Sequence, residues 1–76
     1  MNVKLYWVLS SDKTDAQLAN EDDFDSDREA ESWITLTLKE MRAKNKKHKD
    51  LGYFCPFYIL IEREKRGKIT PQYLTL

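Results

Sequence analysis

The stretch that decides the fold is Ser26–Met41, SDREAESWITLTLKEM. Ser26 followed three residues later by Glu29 has the spacing of a capping box. The Ser26 hydroxyl would accept the Glu29 N–H, and the Glu29 carboxylate would reach back to the Ser26 N–H. Asp25, Asp27, Glu29 and Glu31 place negative charge where a helix dipole is positive. Ala30, Trp33, Ile34, Thr37, Leu38 and Met41 then recur at spacings of three and four, forming one apolar stripe. Leu36 falls on the opposite side of the wheel and is expected to be exposed. Lys39, Arg42, Lys44, Lys46 and Lys47 crowd the half where the dipole favours cations, and Gly52 offers a left-handed stop. The pattern predicts an amphipathic helix from Asp27 to about Lys46, fraying before Gly52.

Upstream, Val3, Leu5, Trp7 and Leu9 alternate with Lys4, Tyr6 and Val8. This predicts a strand over residues 3–10, with a second face apolar enough to lie inside a sheet. Ser10 to Thr14 form a polar turn signal. Ala16 to Asn20 can be read as a short strand hairpinned to the first, as a loop, or as one helical turn. The short strand is preferred, because a structureless loop of roughly 15 residues is unusual in so small a domain. Downstream, Phe57 to Ile61 is an unbroken apolar run, which predicts a central strand covered on both sides. Lys65-Arg66-Gly67-Lys68 reads as a hairpin turn. Ile69 to Leu76 is the return strand, and Pro71 assigns it to an edge because proline donates no ladder hydrogen bond. The order β(β)αββ predicts a single small α+β domain over 1-76, one helix packed on a mostly antiparallel sheet of three or four strands.

Composition narrows the function classes. The chain has 76 residues, with 13 Lys+Arg balanced by 13 Asp+Glu. A domain this small buries only about 60% of its unfolded surface, which argues against an enzyme with a deep cleft. No apolar run approaches the roughly 18 residues of a membrane span. Lys4 interrupts the apolar N-terminus and no cleavage site follows, so neither a signal peptide nor a membrane partner is expected. Cys55 is the single cysteine, so no disulfide can form within the chain, and a cytoplasmic setting is expected. With only His48 and Cys55 as soft ligands, no structural zinc site can be assembled and no cofactor is expected. Stability is expected to come from burying the nine aromatic residues, or from a homodimer or host complex.

Charge is segregated. Residues 12–31 carry nine acids against two bases, a balance of −7, and residues 39–49 carry six bases against one acid, a balance of +5. Helix-dipole complementarity and a solvated face account for much of this. Asp23-Phe24-Asp25-Ser26-Asp27 has the alternating acids of a calcium loop. Arg28 and Ile34 stand where an EF-hand needs Gly and Glu, so these acids read as a helix N-terminus. Cys55 and His48 would need an orienting group and an oxyanion site to act as a nucleophilic pair, and no enzyme is expected.

Two binding surfaces remain. The first is a protein contact through Leu36 with the basic face at Lys39, Arg42 and Lys46, or through the acidic segment at Asp22 and Asp23. Aromatic and arginine residues dominate such contacts, and the C-terminal edge strand can pair with another copy or a partner. The second, alternative surface is for single-stranded nucleic acid, with Lys44, Lys47 and Lys49 tracking a backbone while Tyr53 and Phe54 stack bases. A further basic cluster, Lys65, Arg66 and Lys68, lies in the predicted hairpin. Against it, a dedicated nucleic-acid binder is usually basic overall.

Asp23-Phe24-Asp25-Ser26, then four residues, then Glu31-Ser32-Trp33 resembles a segment of small phage anti-CRISPR proteins of the type I-F class, over 11 of 76 residues. The order of strand, short strand, helix capped at Phe24-Asp25-Ser26, then strands is similar to that of many small phage and mobile-element accessory proteins. The resemblance implies a non-enzymatic, phage-encoded inhibitor that binds a host protein or nucleoprotein complex in the host cytoplasm. It transfers no binding residue, because the shared positions are those of a strand-to-helix junction.

Overall fold

The N-terminal alternation folds as β1 (Asn2–Val8), an inner strand, in a computed structural model spanning residues 1–76. It is followed by β2 (Ala16–Asp23), α1 (Asp27–Asp50), β3 (Tyr58–Lys65) and β4 (Lys68–Thr75). The four strands lie in the order β2-β1-β3-β4, every pair antiparallel. The chain is therefore a small α+β domain of order ββαββ.

Period-two alternation sorts the side chains. Val3 and Leu5 of β1 and Ile59 and Ile61 of β3 point toward α1, where Ala30, Ile34 and Met41 close the core. The fully buried large side chains are all aliphatic: Val3, Leu5, Val8, Ile59 and Ile61. This corrects the expectation that aromatics fill the core. Trp7, Phe24 and Trp33 only flank it, whereas Tyr53, Phe54, Phe57 and Tyr73 are exposed. Tyr and Trp carry a polar group and are rarely buried completely, and the two-layer domain is too thin to enclose the phenylalanines as well.

Ser26 caps α1 by accepting the Glu29 N–H at 3.2 Å. The return bond from the Glu29 carboxylate is not made, so the capping box is half formed. The helix runs one turn further than expected, to Asp50, and stops where Gly52 adopts φ +77° and its N–H meets the Lys49 carbonyl. Lys47, His48 and Lys49 suit the negative end of the dipole, which explains why the basic run stays helical. At about 1.5 Å per residue, its 24 residues span about 36 Å, close to the 40 Å long dimension of the molecule. The acidic and basic ends of the helix are thus opposite ends of the protein.

The second strand is longer than the expected Ala16 to Asn20. β1 offers a free edge, and β2 pairs with it through Asp23, with a bulge at Ala19 between the Leu5 and Tyr6 pairs. β3 is inner, as its apolar run predicts, but it is not covered on both sides. Its second face carries Tyr58, Leu60 and Glu62, over which no second layer lies. β4 is an edge, and Pro71 sits opposite Glu62. No helix is long and apolar enough to cross a membrane.

Candidate functional site

Helix α1 covers one sheet face and leaves the other without a second layer of secondary structure. Alternation brings Tyr6 and Val8 of β1, Tyr58 and Leu60 of β3, and Ile69, Pro71 and Tyr73 of β4 to that side. In register, Leu60 lies between Tyr6 and Tyr73, and beyond Tyr6 stands Leu18 of β2. Leu60 and Val8 are buried even so, while Leu18, Ile69 and Tyr73 are 53%, 52% and 41% exposed. Tyr58 and Tyr73 meet edge to face at 6.3 Å. The β1–β2 loop folds over this pair: Lys13 Nζ lies 5.2 Å from the Tyr58 ring centre and 4.9 Å from that of Tyr73. The Tyr58 hydroxyl donates to the Ser11 carbonyl at 3.4 Å. The Tyr6 hydroxyl is pushed up to about 12, chiefly by hydrogen bonding to the Glu62 carboxylate and then by burial.

A second feature lies beneath the last turns of α1. The apolar stripe runs Ile34, Thr37, Met41, and its next positions are Asn45 and His48. These two, with Lys44, form one wall of a cavity of about 170 Å³. Trp7, Leu9 and Gln17 form another, and Phe54 and Pro56 of the segment leading to β3 complete it. Asn45 Oδ1 is buried without a hydrogen-bond partner. Tyr53 stands edge-on to His48 at 5.7 Å. The helix period carried the signal for one wall: Asn45 and His48 stand four and seven residues beyond Met41. Trp7 and Gln17 come from distant strands and carried none.

The structure distributes the sequence-derived candidates unevenly. Leu36, Lys39, Arg42 and Lys46 are all exposed on the outer face of α1, with Leu36 63% exposed. Asp22 and Asp23 are adjacent on β2 and therefore point to opposite faces. Asp22 is opposite Val3, whereas Asp23 is opposite Asn2, whose amide donates to it at 3.1 Å. Lys44 and Phe54 meet at the cavity, and Tyr53 borders it through His48. Lys47 and Lys49 are exposed on the same last turns. The Lys65–Lys68 turn lies at the other end of the molecule, where Lys65 pairs with Asp27 at 3.0 Å. The two basic clusters therefore do not form one track.

The thiol of Cys55 donates to the main-chain carbonyls of Tyr53 at 3.5 Å and Asn45 at 3.9 Å. It is packed on backbone rather than hydrogen-bonded to His48. No group of three or more His, Cys, Asp or Glu side chains converges on a point where a metal ion could sit. No protein-family model matches the chain, and no curated protein or solved structure matches it.

Proposed function

We propose that the chain is a small non-enzymatic interaction module that binds a protein through the open, tyrosine-bearing face of its sheet. The observation that carries this is the row Leu18, Tyr6, Leu60 and Tyr73 across the four strands, exposed at its two ends, with Tyr58 beside it and Pro71 and Ile69 continuing along the β4 edge. Contiguous exposed apolar area of this kind marks contact surfaces, and tyrosine is among the residues that dominate their energy. Glu21, Lys4 and Glu62 form the next row, a polar border of both signs that separates the tyrosine row from Asn2, Glu64 and Ile69. The partner class is a host protein or nucleoprotein complex, and the action is inhibition by a phage-encoded protein in the host cytoplasm, as the resemblance over Asp23 to Trp33 implies.

Affinity capture with four versions of the chain tests this. The open-face variant Ile69→Glu/Tyr73→Ala should lose the partner that the parent chain retains. Charge reversal at Lys39, Arg42 and Lys46, and separately at Asp22 on the helix side of β2, should leave it bound. Loss of the partner in either charge-reversed chain, with retention in the open-face variant, moves the contact to the helix or the acidic segment and defeats the proposal. Self-association of the parent chain at capture concentrations would make the partner a second copy.

A second reading, single-stranded nucleic-acid binding at the basic end of α1, is favoured by the convergence of Lys44, His48 and Phe54 on one cavity. Affinity measured against salt tests it, each phosphate contact adding roughly 0.7 to the log–log slope for single strands.

A further inference from the structure

We infer that the cavity beneath the last turns of α1 accepts one nucleobase of a single strand, seated against Trp7 and Phe54 with its polar edge on the Asn45 and Gln17 amides. This rests on the nucleic-acid reading and deepens it by naming the unit recognised. The helix face that carries the core stripe continues past Met41 into half-buried Asn45 and exposed His48, which line the cavity with hydrogen-bonding groups. Asn45 lines the cavity and its Oδ1 is buried without a partner, so a ligand donor that draws the side chain toward the cavity would satisfy it.

Size and charge select the occupant. At about 170 Å³ the cavity is smaller than the roughly 300–1,000 Å³ that encloses a whole small ligand. It takes a single ring presented by a larger molecule. Lys44 is in the wall and no carboxylate is, with Lys47 and Lys49 on the same turns, so the ring's carrier is anionic. Phe54, 68% exposed, stands at the wall as a stacking face. An aromatic side chain of a protein would stack equally well but bring only one hydrogen-bonding group, a tyrosine hydroxyl or a tryptophan N–H, to the two amides. A base pairs with them through its donor and acceptor edge while its phosphate lies toward Lys44.

The test uses the full chain with oligothymidylate and oligoadenylate of about ten nucleotides, followed by fluorescence anisotropy. Phe54→Ala should weaken binding by about 5- to 160-fold, the range for losing one base stack. Asn45→Leu should abolish the difference between the two oligonucleotides and leave the salt slope unchanged. Lys44→Ala should lower that slope by about 0.7. In a Trp33→Phe background, bound oligonucleotide should quench Trp7 emission. Ile69→Glu/Tyr73→Ala should bind as the parent does; if it loses affinity, the strand lies on the sheet and the inference fails. Salt-dependent binding indifferent to Phe54→Ala and Asn45→Leu would overturn the pocket while leaving the broader nucleic-acid reading intact. No binding at about 100 μM, the weak limit of non-specific affinity, would overturn both. Displacement of a bound oligonucleotide's signal is expected from the free nucleotide, and exclusive binding of a tryptophan-bearing peptide instead would make the site a peptide pocket.

Discussion

Arg63 of β3 holds Glu31 of α1 with a two-pronged grip: Nε donates to Oε2 and Nη2 to Oε1, each at 2.9 Å. Its remaining Nη1 donates to Gln72 of β4 at 2.8 Å, so one side chain ties helix, inner strand and edge strand together. In the neighbouring pair the Lys65 ammonium donates to both Asp27 carboxylate oxygens, at 3.1 and 3.0 Å, with both partners largely in solvent. Planar, half-buried guanidinium pairs are stronger than exposed ammonium pairs. Glu31→Ala should cost about 1 kcal/mol, whereas Lys65→Ala should stay within about 0.5 kcal/mol. Urea denaturation of both variants checks this, and equal losses would contradict it.

Aliphatic packing, not aromatic burial, carries the core. Ile59→Ala or Leu5→Ala should cost about 2–5 kcal/mol, enough to unfold much of a domain this small. Leu36→Ala, on the outer helix face, should change stability by no more than about 0.5 kcal/mol. Circular-dichroism melts distinguish these outcomes, and a large loss at Leu36 would mean that a second layer or copy covers the helix.

Two groups set opposite pH limits. Tyr6 rises in the folded chain from its usual 10.0 to about 12, chiefly through Glu62. A raised value means that the folded state keeps its proton longer than the unfolded one. This contribution is complete below pH 10 and lost as pH rises toward 12. Asp12 is lowered, first by the Thr14 hydroxyl, 2.7 Å away, and then by Ser10. Its contribution is present above the usual carboxylate range and is lost as pH falls through its lowered folded value. Tyr6→Phe should flatten the alkaline limb of stability against pH, and Asp12→Asn the acid limb. An unchanged limb in either variant would remove the corresponding assignment.

Lys13 is both strained and useful. It adopts φ 66°, the left-handed region that a side chain disfavours, and in that position its ammonium reaches Tyr58 and Tyr73. Lys13→Ala keeps the strain and loses the cation–π contact, so it should destabilise by about 0.5–1 kcal/mol. Lys13→Gly relieves the strain, worth about 1–2 kcal/mol, and should be the more stable of the two. Thermal melts rank them, and the reverse order would show that the loop is held by something else.

The parts of the fold legible in the sequence are those governed by local rules. Ser26, the acids after it and the Ala30-to-Met41 stripe specify where a helix begins and which face it buries. Pro71 specifies an edge and Gly67 a turn, at φ +79°. β2 was legible only in its first half, because Glu21, Asp22 and Asp23 show no alternation. They are strand because β1 has an edge to pair and because Asn2 donates to Glu21 and Asp23. The open face was not legible as a site, since whether a second layer covers β3 depends on how many helices the whole chain makes. The cavity was half legible: Asn45 and His48 lie on the stripe, but Trp7, Gln17 and Phe54 join them only through the fold.

The central claim is that the uncovered sheet face makes the functional contact. Hydroxyl-radical footprinting of the chain, alone and with its captured partner, reads this directly. Tyr73, Ile69 and Leu18 should be protected in the complex, while Leu36 stays as reactive as in the free chain. Protection of Leu36 with no change at Tyr73 would contradict the account.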